Sequence, residues 1–148
     1  MRNIIKSTAR PPSSSPEASR RMAATRGTDN LMERAVRKIL HQSGLRYRKQ
    51  RRLIPGSTRT VDIVFPRIHL AVFIDGCFWH SCPKHKTVPK SNAVWWRKKL
   101  AENRIRDKDT NKRLTCMGWN VIRIWEHEKP PKAALKILKT FRLLKRQS

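Results

Sequence analysis

From Thr28 onward the apolar positions follow two rhythms. Leu31, Ala35, Val36, Ile39 and Leu40 recur at helical spacing, Thr28 or Asp29 can cap the start, and Gly44 stands where a left-handed C-cap belongs. The pattern therefore predicts a first helix. Strand candidates follow at Tyr47–Leu53, Val61–Phe65 and Leu70–Ile74, separated by the Pro55-Gly56 turn and by Pro66 to His69. The last two are continuous apolar runs, as central strands are. Gly76 to Lys90 reads as a loop rich in Cys, His and Pro. Ser91 can cap a helix that carries Trp95 or Trp96, Leu100 and Leu114 and ends at Gly118. Asn120–Trp125 is a further strand candidate, and Pro130 and Pro131 suit the first turn of a last helix. In that helix Ala134, Leu135, Leu138 and Phe141 form a stripe opposite a lysine-rich face. The order α-β-β-β-α-β-α, without internal repeat, predicts an α/β domain.

Upstream of this pattern the rhythm disappears. Residues 1–25 are rich in Arg and Ser and include Pro11, Pro12, the run Ser13 to Ser15 and Pro16, which cannot bury enough apolar surface to offset ordering. The expectation is a disordered basic N-terminal arm over 1–25 and one folded domain over 26–148. Charge then narrows the partner: 35 Lys and Arg against 10 Asp and Glu leave +25 over 148 residues. Such a chain repels itself unless a polyanion neutralises it, and its five Trp within a 38% hydrophobic composition suggest a folded platform rather than a basic tail. Nucleic acid is the leading partner. No apolar run is long enough to span a membrane and no apolar signal segment opens the chain, so a soluble cytoplasmic protein without a membrane partner is expected. Three Cys in such a chain argue against a disulfide framework and for metal or thiol roles.

The segment Asp75-Gly76-Cys77-Phe78-Trp79-His80-Ser81-Cys82-Pro83-Lys84-His85, with Glu126-His127 after the last strand, carries the chemistry. Cys77, Cys82, His85 and His127 could form a closed tetrahedral zinc site. The alternative is two buried small thiols and two surface imidazoles. Cys116 reads as a packed thiol. Asp62, early in the second strand candidate, and Asp75, closing the third, could meet at one sheet edge, where hard oxygen ligands suit Mg²⁺. His80 could accept a proton from water, and Glu33 on the first helix could orient either group. Each also has a plain reading: a solvated helix carboxylate for Glu33, a strand-start carboxylate for Asp62, a turn former for Asp75, another metal ligand for His80.

The pieces "TRGTDNLMERAV", "GLRYR", "LIPGSTRTVDIVFP", "AVFIDGCFWHSCPKH", "PKSN" followed by Trp96, "KLAENRIRD" and "GWNVIRIWEHE" stand in an order that resembles the very short patch repair (Vsr) endonucleases of the PD-(D/E)XK nuclease superfamily. The resemblance spans about Arg20 to Glu128, and "GCFWH" is its sharpest piece. It implies a small mixed central sheet flanked by helices, the αβββαβ core of restriction-endonuclease-like nucleases, with a structural zinc loop. It implies nicking beside a T·G mismatch in double-stranded DNA, with Asp62 as principal Mg²⁺ ligand, His80 activating the attacking water, and Glu33 supporting that water and His80. It makes Cys77, Cys82, His85 and His127 the Zn²⁺ site. Phe78 and Trp79 match the family's DNA wedges, and Trp96 and Met22 match further contacts; core packing is the alternative for Trp79 and Trp96. Where the founding pattern has Thr-His before Gly-Cys, this chain has Ile74-Asp75: the Ile74 backbone carbonyl remains a metal-ligand candidate and Asp75 becomes another. Arg59, Lys98, Lys99, Arg104 and Arg106 are candidate phosphate contacts, or solvated helix-face charges. The resemblance further implies a MutL-type repair partner and a nucleoid-associated, bacterial-type location; a monomer is the default. The rivals are a nuclease with a restriction-type or structure-specific trigger and a zinc-stabilised nucleic-acid-binding module without catalysis.

Overall fold

The structure is a computed structural model that describes residues 16, 31–85 and 88–148. Apart from residue 16, the arm expected over 1–25, Met22 within it, and the candidate caps Thr28 and Asp29 lie outside the described residues. Helix α1 runs through residues 31–42. It closes as its sequence predicts: Gly44 takes φ 86°, its N–H bonds the His41 carbonyl, and the Leu45 N–H bonds Leu40 at 3.1 Å while Leu45 enters the core.

Strands β1 (Arg48–Arg51), β2 (Val61–Phe65) and β3 (Leu70–Asp75) form an antiparallel meander. Helix α2 (Ala93–Cys116) then crosses over, and β4 (Asn120–Trp125) pairs parallel to β3. The four-stranded sheet is mixed, in the order β1-β2-β3-β4, and α3 (Pro130–Gln147) closes the domain. β1 is shorter than the predicted Tyr47–Leu53. It is an exposed edge strand, Tyr47 instead donates its hydroxyl to the Arg37 carbonyl of α1, and Gln50 takes φ 48°.

Strand periodicity separates two faces. On one, Ile63, Phe65, Leu70, Val72, Ile122 and Ile124 pack against Met32, Val36 and Leu40 of α1 and Ala133, Ala134 and Ile137 of α3. On the other, Val64, Ala71 and Phe73 meet Leu114 of α2, and the same strands carry Asp62, Asp75 and Arg123.

Three local expectations are corrected. The residue preceding α2 is Asn92, in a left-handed conformation that Asn tolerates, and neither it nor Ser91 makes a side-chain cap. Cys116 is exposed rather than packed, because it lies about 200° around the helix from buried Leu114. Leu135 is 47% exposed for the same reason, two residues from both Ala133 and Ile137, which hold the buried stripe instead.

Candidate active site and metal centre

Asp62 sits in β2 with its carboxylate turned to the α2 face of the sheet. Its Oδ2 accepts the Ile74 N–H at 2.8 Å and its Oδ1 accepts the Gln50 amide at 3.1 Å. The same Gln50 Nε2 reaches Glu33 Oε1 at 3.3 Å, so Gln50 bridges a helix carboxylate to a strand carboxylate. Burial pushes the Asp62 pKa up to about 6; the Ile74 bond opposes that, and the negative charges of Glu33 and Asp75 add to it. Carboxylates that resist ionising in one place are a suitable seat for a hard divalent cation, whose charge reverses that penalty.

His80 lies across the same cleft. Its Nδ1 stands 2.6 Å from Asp107 Oδ2. A carboxylate oxygen accepts, so Nδ1 carries the proton and Nε2 of the neutral ring keeps its lone pair. Burial alone would lower the His80 pKa, but the Asp107 bond and the charges of Asp75 and Asp107 overcome it and hold it above the ordinary value. Asp75 is buried, lies 3.8 Å from His80 Nδ1, and accepts from Arg123 Nη1 through both oxygens at 2.9 and 3.1 Å. Burial raises its pKa, with His80 and Arg123 pulling against that. Arg123 also lies 4.2 Å over the Phe73 ring, which fixes the guanidinium against the sheet. Asp62, Ile74, Asp75, His80, Arg106 and Arg123 line one cleft of about 360 Å³.

The four predicted zinc ligands do converge: one donor atom from each of Cys77, Cys82, His85 and His127 lies within 4.8 Å of all the others. His127 Nδ1 is 3.2 Å from Cys77 Sγ and 3.6 Å from Cys82 Sγ, and Cys82 Sγ is 3.7 Å from His85 Nδ1. Tetrahedral bonds of about 2.0–2.3 Å put ligand atoms at comparable separations, so the donor set fits a closed Zn²⁺ site. Burial, with the Cys82 thiol beside it, pushes the Cys77 pKa up to about 11, a preference that a bound dication inverts. The loop is anchored from just beyond β4 as well, where Glu126 Oε1 accepts the Cys77 N–H at 2.9 Å.

Beside the Cys/His cluster, in one aromatic stack, Phe78 stands edge-on to Trp79 and Trp96 with centroids 5.1 and 5.4 Å apart, Trp79 and Trp96 are tilted at 5.9 Å, and Trp95 joins at 4.8 Å from Trp96. Trp96 is buried within it, and Phe78 and Trp79 are half-buried. Lys98, Lys99, Arg104 and Arg106 are exposed along α2. Arg59 is engaged internally: Nη1 donates to Asp109 at 2.6 Å and to Thr110 at 2.9 Å, which holds the Asp109 pKa below its usual value.

Glu33 falls on the Asp62 side of the site, joined to it by Gln50, and the carboxylate that orients His80 is Asp107. Gln50, Asp107 and Arg123 did not emerge from the sequence. Asp107 had a signal: Leu100, Asn103, Asp107, Thr110 and Leu114 share one helical stripe, apolar at both ends and polar in the middle. Arg123 had one too, as a charge between Ile122 and Ile124 in an apolar strand.

Residues 14–86 match the family described as DNA mismatch endonuclease Vsr. The type II nicking enzyme V.NaeI of Lentzea aerocolonigenes is 44% identical over 124 residues, covering 82% of this chain and 75% of that protein. The type II nicking enzyme V.XorIIP of Xanthomonas oryzae pv. oryzae is 39% identical over 117 residues, covering 78% and 83%. The DNA mismatch endonuclease Vsr of Escherichia coli K12 is 33% identical over 110 residues, covering 73% and 68%.

Proposed function

The chain belongs to the DNA mismatch endonuclease Vsr family, and from that premise we propose that it nicks one strand of double-stranded DNA beside a T·G mismatch by Mg²⁺-assisted hydrolysis of a phosphodiester. The observation that carries the reading is the meeting of Asp62 and His80, with their separate supporting carboxylates, in one arginine-lined cleft. A non-catalytic binding module has no use for that pairing.

Asp62, with the Ile74 carbonyl beside it, would hold the magnesium ion, and Glu33 supports Asp62 through Gln50. Bound there, the ion supplies charge neutralisation at the phosphodiester and a lowered pKa for water. His80 accepts the proton of the attacking water at Nε2, because Asp107 fixes the proton at Nδ1. Asp75, with both oxygens on Arg123, keeps that guanidinium and His80 in place rather than ligating metal. Cys77, Cys82, His85 and His127 would hold the structural zinc, pinning the loop after β3 to the end of β4 and setting His80 and the aromatic stack at a fixed distance from the sheet. Phe78 and Trp79 wedge the duplex, a cost that is least at a mismatched step, with Trp96 backing them and Met22 adding a contact from the arm. Lys98, Lys99, Arg104 and Arg106 neutralise phosphates, and Arg59 does so on leaving Asp109. A MutL-type partner, a nucleoid-associated cytoplasmic location and a monomeric state complete the reading.

The test is nicking of a labelled duplex with a single T·G pair, with and without Mg²⁺, by wild type, Asp62→Ala and His80→Ala. A Mg²⁺-dependent nick beside the mismatch, absent from the T·A control and from both variants, is expected. Equal nicking of T·A and T·G duplexes would replace the mismatch trigger by a sequence-directed one, a second reading favoured by relatives named only as type II nicking enzymes. Binding without any nick would sink the enzyme reading.

A further inference from the structure

Away from the aromatic stack, a second concavity of about 740 Å³ lies between α1 and the edge strand β1. Arg34, Arg37 and Lys38 line it from the helix, and Arg48, Lys49 and Arg51 from the strand, with no acidic side chain among its walls. A chain at +25 has basic surface in many places, so charge alone distinguishes nothing. The α2 face shows the contrast: its cations are interleaved with Glu102, Asp107 and Asp109, and Arg59 and Arg113 are spent on Asp109. In the α1–β1 groove only Arg37 has an acidic partner among the described residues, Glu33 at 3.6 Å.

Basic residues on an edge strand also guard against edge-to-edge pairing, which accounts for β1. It does not account for the cations of α1 directed into the same concavity. The groove also has a direction. Glu33 adjoins Arg34 in α1, Gln50 lies between Lys49 and Arg51 in β1, and Gln50 bonds both Glu33 and Asp62. Gln50 lines neither concavity, but its chain neighbours Lys49 and Arg51 line the groove while its amide bonds Asp62 of the cleft, so a rod of phosphates passing Asp62 on that side runs on toward the groove.

We infer that the α1–β1 groove is a second phosphate-backbone site that holds one arm of the duplex flanking the cut. The inference rests on the nicking reading for its substrate, and its test reads binding, so the two can fail separately. Phosphate-neutralising side chains position the arm without reading bases. For every phosphate left without its cation, the slope of log Kd against log salt should fall by about 0.9.

The experiment compares the full-length wild type with Arg34→Gln/Lys38→Gln/Lys49→Gln, three substitutions on the groove walls with melting as the folding control. Probes are a T·G duplex with long arms on both sides and two duplexes shortened on one side or the other. On the long duplex the triple variant should drop by about 2 to 3 in salt slope, and wild type should show the same drop on only one of the shortened duplexes. On that duplex the variant and wild type should coincide. An unchanged slope on the long duplex overturns the inference, as does an equal drop on every duplex, which would mean diffuse attraction. Wild type that binds the long duplex but never nicks defeats the catalytic reading and leaves the groove test intact.

Discussion

On the α1/α3 face of the sheet, Ile63, Phe65, Leu70, Val72, Ile122 and Ile124 lie in one apolar cluster, whereas on the α2 face the same strands present Asp62, Asp75 and Arg123 beside a smaller apolar cluster around Val64, Ala71, Phe73 and Leu114. Neighbouring residues of a single strand serve opposite ends, Asp62 beside Ile63 and Arg123 between Ile122 and Ile124. The period of two lets a thin sheet confine its charges to one face and keep the other purely hydrocarbon. The α1/α3 face should then behave as a stability store, and the α2 face as a place where stability is given up for chemistry.

The sharpest test of that contrast is Asp62→Asn. Loss of the charged ligand should reduce nicking by about 10³-fold or more. The same change should stabilise the fold. The folded pKa of about 6 lies above the ordinary value of 3.8, so the folded state binds the proton more tightly and ionisation works against folding. That penalty is absent below the unfolded value, grows between 3.8 and about 6, and is complete above it. Without added magnesium, the variant should therefore match wild type near pH 4 and exceed it by roughly 1–3 kcal/mol at neutral pH, discounted for partial exposure. Melting at the two pH values decides; equal stability at both would mean that Asp62 carries no stored cost.

Leu40→Ala probes the other face. Leu40 is fully buried between α1 and the sheet, and truncation should cost about 2–5 kcal/mol in denaturant unfolding. Single-turnover nicking well below the melting temperature should stay near wild type. A large rate loss in the folded variant would show that the two faces are coupled, with packing on one side setting the geometry of the cleft on the other.

Asp107→Asn follows in size. The amide can hold His80 in the wrong tautomer, so a loss of about 10²-fold is expected, within the range of general acid–base contributions. The Asp107 bond and charge raise the His80 pKa, so removing the charge should move the acidic limb of the rate profile to lower pH. A limb that stays in place would assign it to Asp62 alone.

These positions also mark what the sequence makes legible. Helices, strands and three of the four zinc-type ligands follow from local signals: the Gly44 stop, the apolar runs of β2 and β3, the clustering of Cys77, Cys82 and His85 in one loop, which His127 joins from just beyond β4. Asp62, His80 and Glu33 were visible as residue types in the right order. Their partners were not, because Asp107 reaches His80 from 27 residues away and Gln50 reaches Glu33 from 17, distances set by the packing of α2 and β1. Periodicity errors at Cys116 and Leu135 have a related cause: a helix face is decided by which neighbour it meets, and adjacent apolar positions leave that choice open.

Gln50 carries the smallest expected effect and the finest distinction. Its φ of 48° is a conformation that costs a non-glycine residue about 1 kcal/mol or more, and its amide is the bridge between Glu33 and Asp62. Gln50→Gly keeps the backbone without strain and removes the amide. Gln50→Ala removes the amide and keeps the strain. If the strain is sustained for the bridge, both variants should lose nicking by about 10-fold, with a higher magnesium concentration needed for half-maximal rate and little change in DNA affinity. Their stabilities should diverge, the glycine variant exceeding the alanine variant by about 1 kcal/mol. Parallel loss of rate with divergent stability identifies Gln50 as a positioning residue for Asp62. Rates that instead track stability would reduce it to a turn in an edge strand, and the strain of β1 would then belong to the fold rather than to the cleft.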